Sequence, residues 1–333
     1  MIDYLNLLES FLYAFFFALI VSPLVISIMK REKIKQTILH YVDGHKSKNG
    51  TPTMGGLIFL ISISVISLIC FQGKSLYAKM SVIIFLAYGV VGFLDDYIKF
   101  KFKRNLGLRA YQKILFQLLV SFAVGFFVYK NIGGVLLIPF TNKFIDFGIW
   151  IIPFVILIYL ATTNSVNLTD GLDGLATSTT LIFLISFVVL LNIFMETGVV
   201  AINVSNLEEF KNLSTLSVVA CGVLLCFLLF NCFPAKIFMG DTGSLALGSL
   251  IASISIFSGM ELYIPILGIV FVSSAVSVIL QVAYYKLTKK RIFLMAPLHH
   301  HFEKKGVHEV RITFSYSLVS LIIGVVVILI NIF

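Results

Sequence analysis

The stretch Asn164–Ala176, NSVNLTDGLDGLA, lies between two apolar runs, Trp150–Ala161 and Leu175–Phe194. Its polarity stands out in a chain where 12% of residues are charged and 59% hydrophobic. With 333 residues and a mean hydropathy of +1.02, the chain holds more apolar surface than a soluble core can hide, so it is a polytopic membrane protein. Within the stretch, Asn164, Asn167, Asp170 and Asp173 recur every three residues. One helical or 3₁₀ turn would aim all four at one point, while Gly171 and Gly174 let backbone approach whatever they hold. Acids placed this way at a membrane edge suit a cation, or a phosphate held through a cation. A polar turn between two spans explains an isolated Asp-Gly pair equally well; a fourfold repeat with further acids elsewhere argues for a site.

A bilayer span needs about 20 apolar residues. Ten runs qualify, centred near Leu19, Ile61, Leu86, Val120, Val155, Ile185, Leu225, Ala252, Val276 and Val325. The expected fold is therefore an all-α polytopic membrane protein of about ten transmembrane helices, forming a single integral-membrane domain over residues 1–333. The first run follows Asp3 and Glu9 and lacks a basic leader or a small-residue cleavage site, so it reads as a retained span. A net charge of +9 raises the question of nucleic acid, but the basic residues are spread by topology rather than gathered in one module. They cluster in Lys30–Lys48, Lys99–Lys113 and Lys286–Arg311, which the positive-inside rule explains without a nucleic-acid partner. This orientation puts both termini outside and the polar loops at the cytoplasmic face. Cys70, Cys221, Cys226 and Cys232 sit in or at the ends of apolar runs with no C-x-x-C spacing, and read as small core residues.

Other polar segments fall on the same side. In HKSKNGTPTMGG, His45–Gly56, Lys48, Thr51 and Thr53 stand at the mouth of the second span. A cation and hydroxyls beside a helix N-terminus suit an anion, although capping and topology account for the same residues. The third span ends GFLDDYIKFKFKR, and Asp95 and Asp96 directly follow its apolar part, a costly place for adjacent acids unless a cation shares them. Adjacent helical residues point about 100° apart, so one acid can face the site while the other anchors a loop. The seventh ends FNCFPAKIFMGDTGS, with Asp241 among Gly240, Thr242, Gly243 and Ser244, a set that also suits helix capping. Phe233 and Phe238 near Asn231 offer a stacking wall for a base. Gln281 interrupts the ninth run, and APLHHHFEKKG follows. His299, His300 and His301 cannot all aim at one point from a regular helix, so ligand contacts mixed with loop packing fit better than a metal set.

Asp95, Asp96, Asp170, Asp173 and Asp241 thus gather on one face among amides, glycines and lysines. Hard oxygen ligands without a Cys/His set favour Mg²⁺ or Mn²⁺ over zinc. Lysines beside such a metal point to phosphoryl transfer, and the lack of G-x-x-x-x-G-K-[ST] excludes a P-loop ATPase.

DDYIK, NLTDGLDGLA and FMGDTGS resemble the motifs of the polyprenyl-phosphate N-acetylhexosamine 1-phosphate transferase superfamily. GTPTMGG and PLHHHFE are similar to its phospho-N-acetylmuramoyl-pentapeptide transferase branch, and the likeness covers essentially the whole chain. The resemblance implies Mg²⁺-dependent transfer of phospho-MurNAc-pentapeptide from UDP-MurNAc-pentapeptide to undecaprenyl phosphate, giving lipid I and UMP. It also implies an active-site cleft at the cytoplasmic face and a homodimer among the lipids of the bacterial cytoplasmic membrane. Carried onto matching positions, Asp241 is the metal ligand, and Asp95 and Asp96 assist the lipid phosphate or position metal and diphosphate. Asn167 and Asp170 complete the polar centre, and Lys99 and Lys113 contact phosphates. Lys48, Gly171, Asp173, Asn231 and Phe238 surround the uridine, with His299–His301 on the sugar-phosphate side. A transferase using UDP-GlcNAc would keep the acids but change the last loop. An ion-coupled transporter would place its acids near the midplane rather than at one face.

Overall fold

The computed structural model describes residues 4–32, 50–102, 107–141, 143–199 and 207–332. Each expected apolar run is helical: α1 (Tyr4–Arg31), α2 (Gly56–Cys70), α3 (Leu76–Lys101), α4 (Ala110–Asn131), α5 (Ile151–Thr169), α6 (Leu175–Thr197), α7 (Leu207–Asn231) and α8 (Gly240–Phe257). A short α9 (Ile264–Leu267) leads into α10 (Ile269–Thr288), followed by α11 (Leu298–Lys304) and α12 (Glu309–Ile332). Among the described residues, nine helices are long and apolar enough to cross a membrane. The remaining expected span is α2, an apolar helix of 15 residues, about 22 Å long. A feature absent from the expectation is a small antiparallel hairpin, β1 (Val135–Leu137) with β2 (Phe144–Asp146), between α4 and α5.

The polarity of Asn164–Ala176 terminates a helix rather than extending one. Helix α5 stops at Thr169, and Asp170 leaves helical geometry at ψ 54. Gly174, in the left-handed region at φ +72, then opens α6. The four-residue repeat therefore does not converge, because only Asn164 and Asn167 belong to the helix.

Helix α8 is the centre of the bundle. Every residue from Thr242 to Phe257 is buried, as expected of a helix apolar on all sides. Its small residues, including Gly243, Ser244, Ala246, Gly248, Ser249 and Ala252, let α2, α3 and α5 pack closely around it. Gly92 of α3 and Gly56 of α2 approach it most closely, and at Gly92 a Cβ would collide with the Asp241 backbone carbonyl. Because Asp96 contacts the first turn of α8, that turn lies roughly one and a half turns short of the α3 terminus at Lys101. The start of α8 is thus recessed beside a longer helix.

At the opposite end, α7 secures the turn between α2 and α3. The Glu209 carboxylate accepts the N–H groups of Leu76 and Tyr77 at 2.9 and 2.8 Å, capping α3. The Asn212 side chain accepts the Gln72 N–H and donates to the Gln72 and Lys74 carbonyls.

Candidate active site

Four helix ends meet at the recess: the last turns of α3 and α5 and the first turns of α4 and α8. Asp95 and Asp96 are buried, which excludes a solvated helix end. Asp96 accepts the Asp241 N–H at 3.2 Å, the Thr242 N–H at 2.9 Å and the Thr242 hydroxyl at 2.7 Å. It therefore satisfies donors that the start of α8 would otherwise leave orphaned. Gly240, at φ +70, makes room for this: a Cβ there would stand 2.5 Å from Asp96 Oδ2 and 3.0 Å from Thr53 Oγ1. Asp95 accepts the Leu108 N–H at 2.8 Å through one oxygen and meets Lys99 Nζ at 2.6 Å through the other.

Asp241 is the meeting point. Its Oδ2 lies 3.1 Å from Lys99 Nζ and 2.9 Å from Lys113 Nζ, while its Oδ1 accepts the Asn167 amide at 2.8 Å. Asn167 also donates to Ser244 Oγ at 2.8 Å, locking its orientation. Asp95, Asp96 and Asp241 offer carboxylate oxygens all within 4.8 Å of one another. An all-oxygen set of this kind fits a hard divalent cation. Asp96 turns both oxygens to the start of α8, whereas Asp95 and Asp241 both meet the Lys99 ammonium, and the three carboxylates together form the group that could hold an ion. The Lys99 ammonium already lies between the Asp95 and Asp241 carboxylates, so the position accepts positive charge.

A second group of expected residues lines the approach. Asp170 is partly exposed, yet desolvation and the charges of Asp241, Asp96 and Asp173 push its carboxyl well above the usual range. Asp173 accepts the Ala235 N–H at 2.9 Å, tying the turn to the segment after α7. Asn231 donates to the Ile237 carbonyl and accepts the Thr177 hydroxyl, so its amide shapes that segment from within. Phe238 pairs its backbone with Pro52 and Gly55.

The histidines divide as helix geometry requires. His299 is fully buried, and neither ring nitrogen has a hydrogen-bond partner among the described residues. Its Nε2 and that of His300 both lie against Gly171. Burial, then His300, pushes the His299 imidazole down to about 3, leaving it neutral. His300 Nδ1 is 2.9 Å from Glu303, and His301 Nδ1 accepts the Leu294 N–H at 3.1 Å.

Two expected residues lie apart from the acids. Asn164 donates to Gln117 Oε1 on α4 and to the Leu160 carbonyl. Gln281 accepts the Ile292 and Phe293 N–H groups, fastening the segment that leads to α11. Lys48 falls outside the described residues. The sequence reading missed Thr242 as a ligand of Asp96, for which no local signal exists, and Glu303 as the partner of His300, which the His-x-x-Glu spacing reveals.

Fold and site together define a polytopic membrane protein with a carboxylate–lysine centre built for phosphate chemistry. The chain belongs to glycosyl transferase family 4, whose model matches residues 77–259, and within it to the phospho-N-acetylmuramoyl-pentapeptide-transferases, whose signature 1 matches residues 48–60. It is 44% identical to the phospho-N-acetylmuramoyl-pentapeptide-transferase of Clostridium botulinum strain Eklund 17B over 324 residues, 96% of this chain and 95% of the relative. The same-named proteins of Clostridium novyi strain NT and Clostridioides difficile strain 630 are 41% and 40% identical, over 95% and 97% of this chain and 94% and 97% of the relatives.

Proposed function

We propose that the protein transfers phospho-MurNAc-pentapeptide from UDP-MurNAc-pentapeptide to undecaprenyl phosphate, giving lipid I and UMP. The observation that carries this reading is the convergence of Lys99, Lys113 and Asn167 on Asp241 beside Asp95. An oxygen of the lipid phosphate forms a bond to the sugar-bearing phosphorus. The bond from that phosphorus to the oxygen of UMP breaks, and its electron pair leaves with UMP. A phosphate monoester has a second pKa near 6, so the nucleophile is largely ionised and needs no strong base. Charge repulsion between two anions is the main obstacle, and Lys99 and Lys113 are the residues of this chain that offset it.

The proposed metal is Mg²⁺, held by Asp241 with Asp95, and it supplies further neutralisation of the diphosphate. Asp96 sets the position of Asp241 through α8. Asn167 and Asp170 complete the polar centre, His299–His301 serve the sugar-phosphate side, and Gly171, Asp173, Asn231 and Phe238 shape the uridine side, joined by Lys48. The proposal includes a homodimer in the bacterial cytoplasmic membrane, with the site facing the cytoplasm; the lysine distribution supports that orientation.

The test is UMP release by purified protein given both substrates and Mg²⁺. Product that requires lipid phosphate and metal, and is lost in Asp241→Asn, supports the reading. UMP formation without the lipid, or an enzyme-bound phosphosugar trapped in a single turnover, overturns the one-step reaction.

A further inference from the structure

We propose that the end of the bundle opposite the acids carries a binding site for the headgroup of a zwitterionic aminophospholipid. A cavity of about 480 Å³ lies there, between the start of α1, the turn after α2, the end of α6 and the first turns of α7. Its distance from the acids follows from the helices it uses: α2 and α6 begin beside the reactive centre and end at the cavity, with Cys70 and Met195 in its wall.

The cavity has a built lining with donors left over. The Asn192 Oδ1 accepts the Ser214 hydroxyl at 3.1 Å, which fixes the amide and leaves its NH₂ without an acceptor among the described residues. Lys211 lines the same cavity, half-buried, and no described carboxylate lies within ion-pair distance of its ammonium. The ammonium of a half-buried side chain, lining the same cavity as an unsatisfied, nearly buried amide, calls for an anionic oxygen acceptor. On the rim, Glu208 Oε2 accepts the Lys74 N–H at 2.9 Å, and its other oxygen accepts no hydrogen bond among the described residues. Lys211 and Glu208 therefore offer one positive and one negative partner, the complement of a phosphate joined to an ammonium.

The source of that phosphate is a lipid because of where the opening lies. The cavity is formed at the ends of membrane-spanning helices, where headgroups reside. Leu5 and Leu8, next to cavity residues Asn6 and Leu7, are 67% and 56% exposed and give acyl chains an apolar track. Tyr4 donates to Glu196 at 2.7 Å at this same end, an interfacial placement typical of tyrosine. In the orientation that the lysines favour, this is the outer leaflet.

The experiment uses the full-length protein in detergent with short-chain phosphatidylethanolamine, phosphatidylglycerol or inorganic phosphate, reading retained ligand by native mass spectrometry and melting temperature. Saturable retention of phosphatidylethanolamine is expected, weakened about tenfold or more in Lys211→Met, as loss of a charge-assisted contact implies, and kept in Lys211→Arg. Glu208→Gln is expected to erase the preference for phosphatidylethanolamine over phosphatidylglycerol. Equal retention by wild type and Lys211→Met overturns the site. Lys211-dependent binding of inorganic phosphate with no lipid retained overturns the lipid as its source. The readout is independent of UMP release, so the two proposals fail separately.

Discussion

Asp96 accepts both the N–H and the hydroxyl of Thr242, at 2.9 and 2.7 Å, across 146 residues of sequence. This pair attaches the start of α8 to α3 and so sets where Asp241 stands. Thr242→Val keeps the backbone bond and is expected to cost about 1 kcal/mol with a modest fall in kcat. Asp96→Asn turns an NH₂ donor toward N–H donors in a buried place, so a fall in kcat of about 100-fold or more, with a lowered melting temperature, is expected. Equal effects of the two substitutions would show that the Thr242 hydroxyl contact accounts for the whole role of Asp96; a fall in kcat in Asp96→Asn with an unchanged melting temperature would show that Asp96 acts on substrate rather than through α8.

Lys99 and Lys113 share Asp241 but differ in their other duties. Lys113 meets Asp241, whereas Lys99 also pairs with Asp95 at 2.6 Å. Either lysine changed to Met is expected to lower UMP release about 100- to 1,000-fold, the loss usual for one transition-state donor. Lys99→Met should also lower the melting temperature, because it leaves Asp95 and Asp241 without the cation between them. Kinetics and thermal unfolding on both variants separate the two contributions.

Glu261 provides a pH dependence remote from the chemistry. It lies after α8, is 3% exposed, and its Oε2 has no partner. Desolvation raises its pKa from 4.5 to about 8. Between those values the folded protein retains a proton that the unfolded chain releases, so stability falls as pH rises, by at most about 1.4 kcal/mol per pH unit. Glu261→Gln removes this dependence. Its melting temperature should exceed the wild type by more at pH 8.5 than at pH 5.5; a constant difference would show that Glu261 does not titrate in that window.

What the sequence discloses is whatever local chemistry encodes. Apolar runs became helices, and polar segments such as GDTGS and LDDYIK met at one recess because each interrupts or ends such a run. Periodicity misled at Asn164–Asp173, since Asp170 and Gly174 break the helix that the repeat presumes. The side-chain partners of Asn164 and Gln281 were illegible for another reason. Each is set by what packs alongside, α4 for Asn164 and the Ile292–Phe293 segment for Gln281. The pairing of Asp96 with Thr242 likewise follows from α3 lying against α8, which no local pattern specifies.

Gly92 tests that packing directly. It faces the Asp241 backbone so closely that a Cβ would overlap the carbonyl, and backbone at the first turn of a buried helix cannot yield as a flexible side chain would. Gly92→Ala therefore pushes the start of α8 away from α3. A stability loss of about 1–3 kcal/mol is expected from overpacking alone. The loss of activity should be larger, about 100-fold, because displacing a reactive group by even 1 Å has that effect. The alanine itself touches no substrate in the proposed site, so its effect should appear in kcat, with KM for the UDP substrate little changed. A variant that melts lower but keeps its kcat would show that the position of Asp241 tolerates the shift and that the α3–α8 contact serves stability alone.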